Sequence, residues 1–155
     1  MLEDGKKAPD FALPDADGET VRLAGLKGNP VVVYFYPKDD TSGCTAEAKG
    51  FTCLADDFKK AGAKVIGISP DSPASHRKFQ EKYDLGVRLL ADEERKTVEA
   101  YGVWVEKSMY GRKYMGVERS TFLVDDAGKI ARIWRKVKVP GHAEEVLEAV
   151  RALKT

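Results

Sequence analysis

The stretch from Val31 to Phe51, VVVYFYPKDDTSGCTAEAKGF, limits what this chain can fold into more than any other segment. Its first six residues, Val31 to Tyr36, are all β-branched or aromatic. An unbroken apolar run reads as a strand buried on both faces, because a strand with one wet face alternates. Pro37 ends it, since proline has no amide to give to a ladder. A polar turn spans Lys38 to Gly43, and the apolar period then becomes helical. Phe51, Leu54, Ala55 and Phe58 share a face, with Cys44 one heptad before Phe51. The spacing predicts a helix that leaves the carboxyl end of a buried strand and carries Cys44 in its first turn. Open α/β sheets place their chemistry at such points, and the positive end of a helix dipole favours thiolates over thiols. The competing reading of a free cysteine is a small buried hydrophobe.

The remaining elements follow from period and punctuation. Asp17-Gly18 between Phe11–Leu13 and Thr20–Leu23 signals a hairpin. Gly25 to Pro30 is a loop into the buried strand. Lys64 to Ser69 reads as a second core strand, and Pro73 starts a helix with His76, Phe79 and Tyr83 at helical spacing. Val87 to Leu90 is a short strand weakened by Arg88. Asp92 to Tyr101 is expected as a helix with Asp92 at its N-cap. Gly102 to Glu118, polar and aromatic without a period, reads as a loop with some strand. Ser120–Val124, the turn Asp125–Gly128 and Lys129–Val137 make a second hairpin, and His142 to Lys154 closes the chain as a helix. This order predicts an α/β fold: an N-terminal β-hairpin, then a mixed central β-sheet with helices on both faces. Residues 1–155 are expected to form one domain, since no repeat or linker interrupts them.

Composition narrows the function classes. Lys plus Arg number 26 against 25 for Asp plus Glu, a balance that gives no footprint for nucleic acid or an anionic membrane. Met1 to Asp10 lacks the apolar core of a signal peptide, and no run reaches a membrane span, so a soluble cytoplasmic protein is expected. With 2 Cys and 2 His, far apart in sequence, there is neither a disulfide framework nor zinc spacing, and no metal or cofactor is expected. A cysteine hydrolase would need a histidine base, and nothing in the spacing of His76 or His142 points at Cys44. A Cys-x-x-Cys oxidoreductase motif is absent.

Phe35-Tyr36-Pro37, the run Asp39 to Glu47, and Arg119-Ser120-Thr121-Phe122 together resemble the peroxiredoxins, and within them the bacterioferritin-comigratory-protein (PrxQ) subfamily. Ala8-Pro9-Asp10-Phe11, Gly67-Ile68-Ser69 and Lys107-Ser108-Met109-Tyr110-Gly111 extend the likeness over nearly the whole chain. The resemblance implies a thioredoxin-like fold and a thiol-dependent peroxidase that reduces hydrogen peroxide and organic hydroperoxides, recycled by thioredoxin or another thiol, as a monomer or weak dimer. It makes Cys44 the peroxidatic nucleophile, which passes through a sulfenic acid. Arg119 is its catalytic cation, supplying fixed donors for developing charge. Thr41 is implied as the residue that directs a hydroxyl at the peroxide, a role compatible with its other reading as a helix cap or turn stabiliser, and Pro37 as the one that shields the thiol. Gly43 supplies a backbone amide, and Glu47 holds the loop or is a solvated carboxylate at the helix start. A redox sensor or chaperone-like binding protein on the same fold is the competing class.

The pattern departs from its relatives at the second thiol. Many relatives carry a resolving cysteine five residues after the first, where this chain has Lys49, and others carry it in the next helix, which here has none. Only Cys53 remains. Nine helical residues span about 13.5 Å and turn by roughly 180°, whereas a disulfide needs Cα atoms within about 7 Å. Three routes stay open: Cys53 resolves Cys44 after local unfolding, an intermolecular bond forms, or an external thiol reduces the sulfenic acid. Ser42 stands where proline is common, a change that removes no reactive group.

Overall fold

The computed structural model describes residues 2–153. Two short strands, β1 (Ala12–Pro14) and β2 (Thr20–Arg22), pair as the expected hairpin, with Gly18 at φ 84° in the turn. The next strand, β3 (Val31–Phe35), is buried at every position. It lies at the centre of a five-stranded sheet ordered β5-β4-β3-β8-β9, where β4 is Lys64–Ser69, β5 Arg88–Ala91, β8 Ser120–Val124 and β9 Ile130–Trp134. Strands β4 and β5 run parallel to β3, while β8 is antiparallel to both β3 and β9. The sheet is therefore mixed, as the element order implies.

Side chains alternate across β3, and each face has its own core. Val31, Val33 and Phe35 pack with Phe11, Val21, Ile68, Tyr101 and Phe122, beneath the N-terminal hairpin and helix α4 (Lys96–Ala100). Val32, Tyr34 and Tyr36 pack on the other face, under α1 (Ser42–Cys53), α2 (Ala55–Lys60), α3 (Pro73–Tyr83) and α5 (His142–Ala152). Two apolar layers account for the unbroken apolar reading of the strand. Helices lie on both faces, as expected, but unequally.

Four expectations are corrected. The helix carrying Cys44 breaks at Leu54, where φ is −99° and ψ 9°. The Thr52 hydroxyl donates to the Ala48 carbonyl at 2.7 Å and accepts the Gly86 amide at 3.0 Å, and such back-bonding loosens a helix. Asp92 is not an N-cap: Arg95, left-handed at φ 64°, holds that position. Asp92 instead reaches into the first turn and accepts the Val98 amide at 2.8 Å. Gly102–Glu118 contains a regular hairpin, β6 (Trp104–Met109) with β7 (Arg112–Val117), closed by Tyr110 and Gly111 at φ 51° and 79°. Most of its residues are exposed on both faces, so no hydrophobic period marks it. Leu153 lies beyond α5 and is 40% exposed, and the expected end at Lys154 is outside the described residues.

Candidate active site

Ser120 lies opposite Phe35 in the β3–β8 register. Arg119, one residue earlier, therefore emerges at the carboxyl end of β3, where α1 begins. Its carbonyl is fixed by the Val137 amide at 3.0 Å. Cys44 occupies the first turn of α1, as its spacing predicts, and is 1% exposed. The two meet: Arg119 Nη2 donates to Cys44 Sγ at 3.2 Å, and Nη1 donates to Glu47 Oε1 at 2.7 Å. One planar guanidinium thus spans thiol and carboxylate, residues 75 apart and 72 apart from it in sequence.

The glycine at position 43 makes this approach feasible, because a Cβ there would lie 3.1 Å from Arg119 Nη2. Glu47 is not a solvated carboxylate. It is 2% exposed, and its Oε2 has no hydrogen-bond partner. Burial pushes its carboxyl up to about 7, with the Arg119 charge opposing. Arg119 in turn is raised: burial works against its charge, but Glu47 and Cys44 outweigh that. Lys107 on β6 is held below the ordinary ammonium range by burial and by the Arg119 charge, so the exposed hairpin brings a second cation toward the site.

Thr41 occupies the N-cap position of α1 without a side-chain cap; its hydroxyl donates to the Lys38 carbonyl at 2.9 Å. A hydroxyl that donates to a carbonyl keeps its lone pairs for a second group. Pro37 follows the buried Tyr36 and begins the loop over α1. Cys53 is exposed at the other end of α1 while Cys44 is buried, and one continuous helix holds the two apart.

A neighbouring set of residues escaped the sequence reading. The carboxylate of Asp39, within the loop, accepts from Tyr36 Oη at 2.6 Å and Ser75 Oγ at 2.8 Å, and lies 2.7 Å from His76 Nδ1. His76 Nε2 lies 2.8 Å from the Leu90 carbonyl, and the Asp39 amide donates to Asp71 Oδ2 at 2.8 Å. The available signal was His76 on the apolar stripe of α3: a histidine facing a core requires polar partners. Asp39, Asp71 and His76 bring ligand atoms within 4.8 Å of one another, but those atoms are already engaged by these bonds and by the Ser69 hydroxyl on Asp71. His142 is likewise committed elsewhere, to Thr121 Oγ1 at 2.8 Å, and neither histidine bonds Cys44.

A thiol at the start of a helix leaving the central strand of a thioredoxin-like sheet, bonded to an arginine that immediately precedes the adjacent strand, defines a peroxiredoxin-type site. Comparison with known proteins agrees. Residues 5–133 match the AhpC/TSA family. The putative peroxiredoxin bcp of Coxiella burnetii is 51% identical over 146 residues, covering 94% of this chain and 97% of its own. Peroxiredoxin Bcp of Bacillus subtilis is 49% identical over 150 residues, covering 97% and 96%. Among solved structures, the bacterioferritin comigratory protein of Xanthomonas campestris, studied for its alkyl peroxide reduction activity, superposes with TM-score 0.92 at 40% identity over 99% of this chain and 100% of that one. A cysteine-to-serine mutant of Xylella fastidiosa PrxQ gives 0.95 at 35% identity, over 100% and 99%. The chain belongs to the AhpC/TSA family, among relatives named peroxiredoxin Bcp. Among the described residues no helix is long and apolar enough to cross a membrane.

Proposed function

We propose that this protein is a thiol-dependent peroxidase in which Cys44 reduces hydrogen peroxide and alkyl hydroperoxides. The Arg119–Cys44 hydrogen bond at 3.2 Å carries the reading. The Cys44 thiolate attacks one peroxide oxygen, the S–O bond forms as the O–O bond breaks, and the departing oxygen takes a proton to leave as water or an alcohol. Arg119 faces the developing charge with donors already oriented by Glu47, so little reorganisation is needed in the transition state. Thr41, whose hydroxyl donates its hydrogen bond to the Lys38 carbonyl, accepts the peroxide O–H and sets the angle of attack. Pro37 and the loop keep water off the sulfur, and the Gly43 amide lies at the helix start as a further donor.

The sulfenic acid is then reduced by two equivalents of thiol: the first expels water to form a mixed disulfide, and the second releases Cys44 and a new disulfide. Thioredoxin or another cellular thiol is the proposed reductant, in a cytoplasm that keeps both cysteines reduced. Direct reduction by the external thiol is favoured over resolution by Cys53, which requires α1 to unwind by two turns or more. The chain is proposed to act as one domain, because both apolar layers are built on the same sheet, and as a monomer or weak dimer.

Replacing Cys44 with serine is expected to abolish peroxide consumption with a thiol reductant, and an unchanged rate in Cys44→Ser would sink the enzyme reading. Mass spectrometry after one equivalent of peroxide separates the routes. A Cys44 sulfenic acid without disulfide is expected, and a Cys44–Cys53 bond that Cys53→Ser removes would establish Cys53 as the resolving thiol.

A further inference from the structure

We propose that Asp39 and His76 are positioning residues for the peroxide step, their buried pair setting the Lys38–Thr41 loop that presents the Thr41 hydroxyl at the start of α1. This rests on the role given to Thr41 above. Asp39 is 7% exposed and His76 0%. Packing alone would be met by a leucine at 76. The structure instead buries a carboxylate, an imidazole and the Tyr36 hydroxyl, with the half-buried Ser75 hydroxyl beside them, which is costly unless every group is bonded.

Every group is bonded. Asp39 Oδ1 takes Tyr36, Oδ2 takes Ser75 and His76, and the second imidazole nitrogen meets the Leu90 carbonyl. These bonds tie the loop to the residue that follows β3, to α3 and to β5 at one point. The next residue, Asp40, is left-handed at φ 62°, a conformation that costs a non-glycine residue about 1 kcal/mol or more. It is gripped by α3 as well: Lys82 Nζ donates to it at 2.8 Å and Tyr83 Oη also donates to it. Thr41 follows directly, and its hydroxyl direction is set by the Lys38 carbonyl on the other side of Asp39. Removing the Asp39–His76 bond frees the loop between the two residues that orient the hydroxyl. The reacting sulfur stays on α1, held by Arg119, so its intrinsic reactivity survives.

That distinction provides the test. Stopped-flow rates of reduced full-length protein, carrying Cys53→Ser throughout so that the exposed second thiol does not react, are measured with hydrogen peroxide and, separately, with iodoacetamide, which alkylates the Cys44 sulfur without needing an oriented O–H acceptor. His76→Leu and Asp39→Asn are expected to slow the peroxide reaction by about 10–100-fold and the alkylation by less than about two-fold. Ser75→Ala and Tyr36→Phe, which remove one hydroxyl each with little change of volume, show smaller losses of the same kind and cover the case in which the larger replacements fail to fold. His76→Asn, whose amide can still donate to Asp39, recovers most of the rate. In a Thr41→Val background His76→Leu has no further effect. A wild-type peroxide rate in folded His76→Leu, or in both Ser75→Ala and Tyr36→Phe where it does not fold, overturns the proposal. So does an equal loss in both reactions, or full additivity with Thr41→Val. A wild-type rate in Thr41→Val overturns the Thr41 role itself and, with it, the route proposed here. A loss in Thr41→Val with none in the network variants overturns only the positioning role of Asp39 and His76.

Discussion

Arg119 does two things with one side chain, and a lysine cannot. Nη1 is committed to Glu47 and Nη2 to Cys44, a fork that a single ammonium reproduces at one end only. Arg119→Lys is therefore expected to keep the charge but lower the second-order rate with hydrogen peroxide by about 10²-fold, the scale of losing one preorganised donor. Gly43→Ala tests the same contact from the other side. Its Cβ would sit 3.1 Å from Nη2, so the guanidinium must shift by a few tenths of an ångström. A several-fold loss of peroxide rate with unchanged circular dichroism is expected, and an unchanged rate would show that the Arg119–Cys44 distance is not critical.

At the scale of elements, α1 is weakly held for a helix that carries the reacting group. Its sequence SGCTAEAKGFTC contains two glycines, its N-cap side chain makes no capping bond, and its first turn has no acidic residue. Each of these omissions lowers helix stability. Gly50 lies in its second half, and a Cβ there would meet Ala143 Cβ at 3.5 Å, ordinary contact distance. Gly50→Ala is expected to stabilise α1 by about 1 kcal/mol. If α1 must unwind before Cys44 can bond Cys53, disulfide formation slows about five-fold in this variant. Quenched-flow alkylation followed by mass spectrometry reads that rate, and an unchanged rate in a stabilised protein would mean that unwinding is not required.

For the whole molecule, two buried groups push stability with pH in opposite directions. Burial raises the Glu47 carboxyl from 4.5 to about 7, so the folded state holds that proton more tightly and loses stability as pH rises from 4.5 through about 7. Burial lowers His142 from 6.5 to about 4, so the folded state loses stability as pH falls from 6.5 through about 4. Over their shared range the two slopes offset, and a flat profile is expected from these groups. Glu47→Gln should leave a stability that rises with pH there, and His142→Gln one that falls. Urea midpoints at intervals across that range check both, and like-signed slopes in the two variants would refute the assignment.

The order of the five central strands and of the helices between them, the two-faced burial of β3 and the place of Cys44 in the first turn of α1 were all determined locally. They follow from apolar period, proline and turn residues within about 20 positions, which is why they are legible in the chain. The family motif carried Arg119 to the site as well. The burial of Glu47 was not legible, because a carboxylate one turn past Cys44 faces solvent or core according to where a strand some seventy residues away is laid down. The β6–β7 hairpin was hidden for the opposite reason: wet on both faces, it has no period to read. Asp39 and His76 gave separate signals, a loop acid and a core-facing histidine, and only the parallel pairing of β3, β4 and β5 brings α3 over the loop to join them. So the opening stretch by itself delivers one cysteine to a helix start. The tertiary structure supplies what surrounds that sulfur, because charge and hydrogen-bond partners at a site are set by distance in space, which sequence separation does not encode.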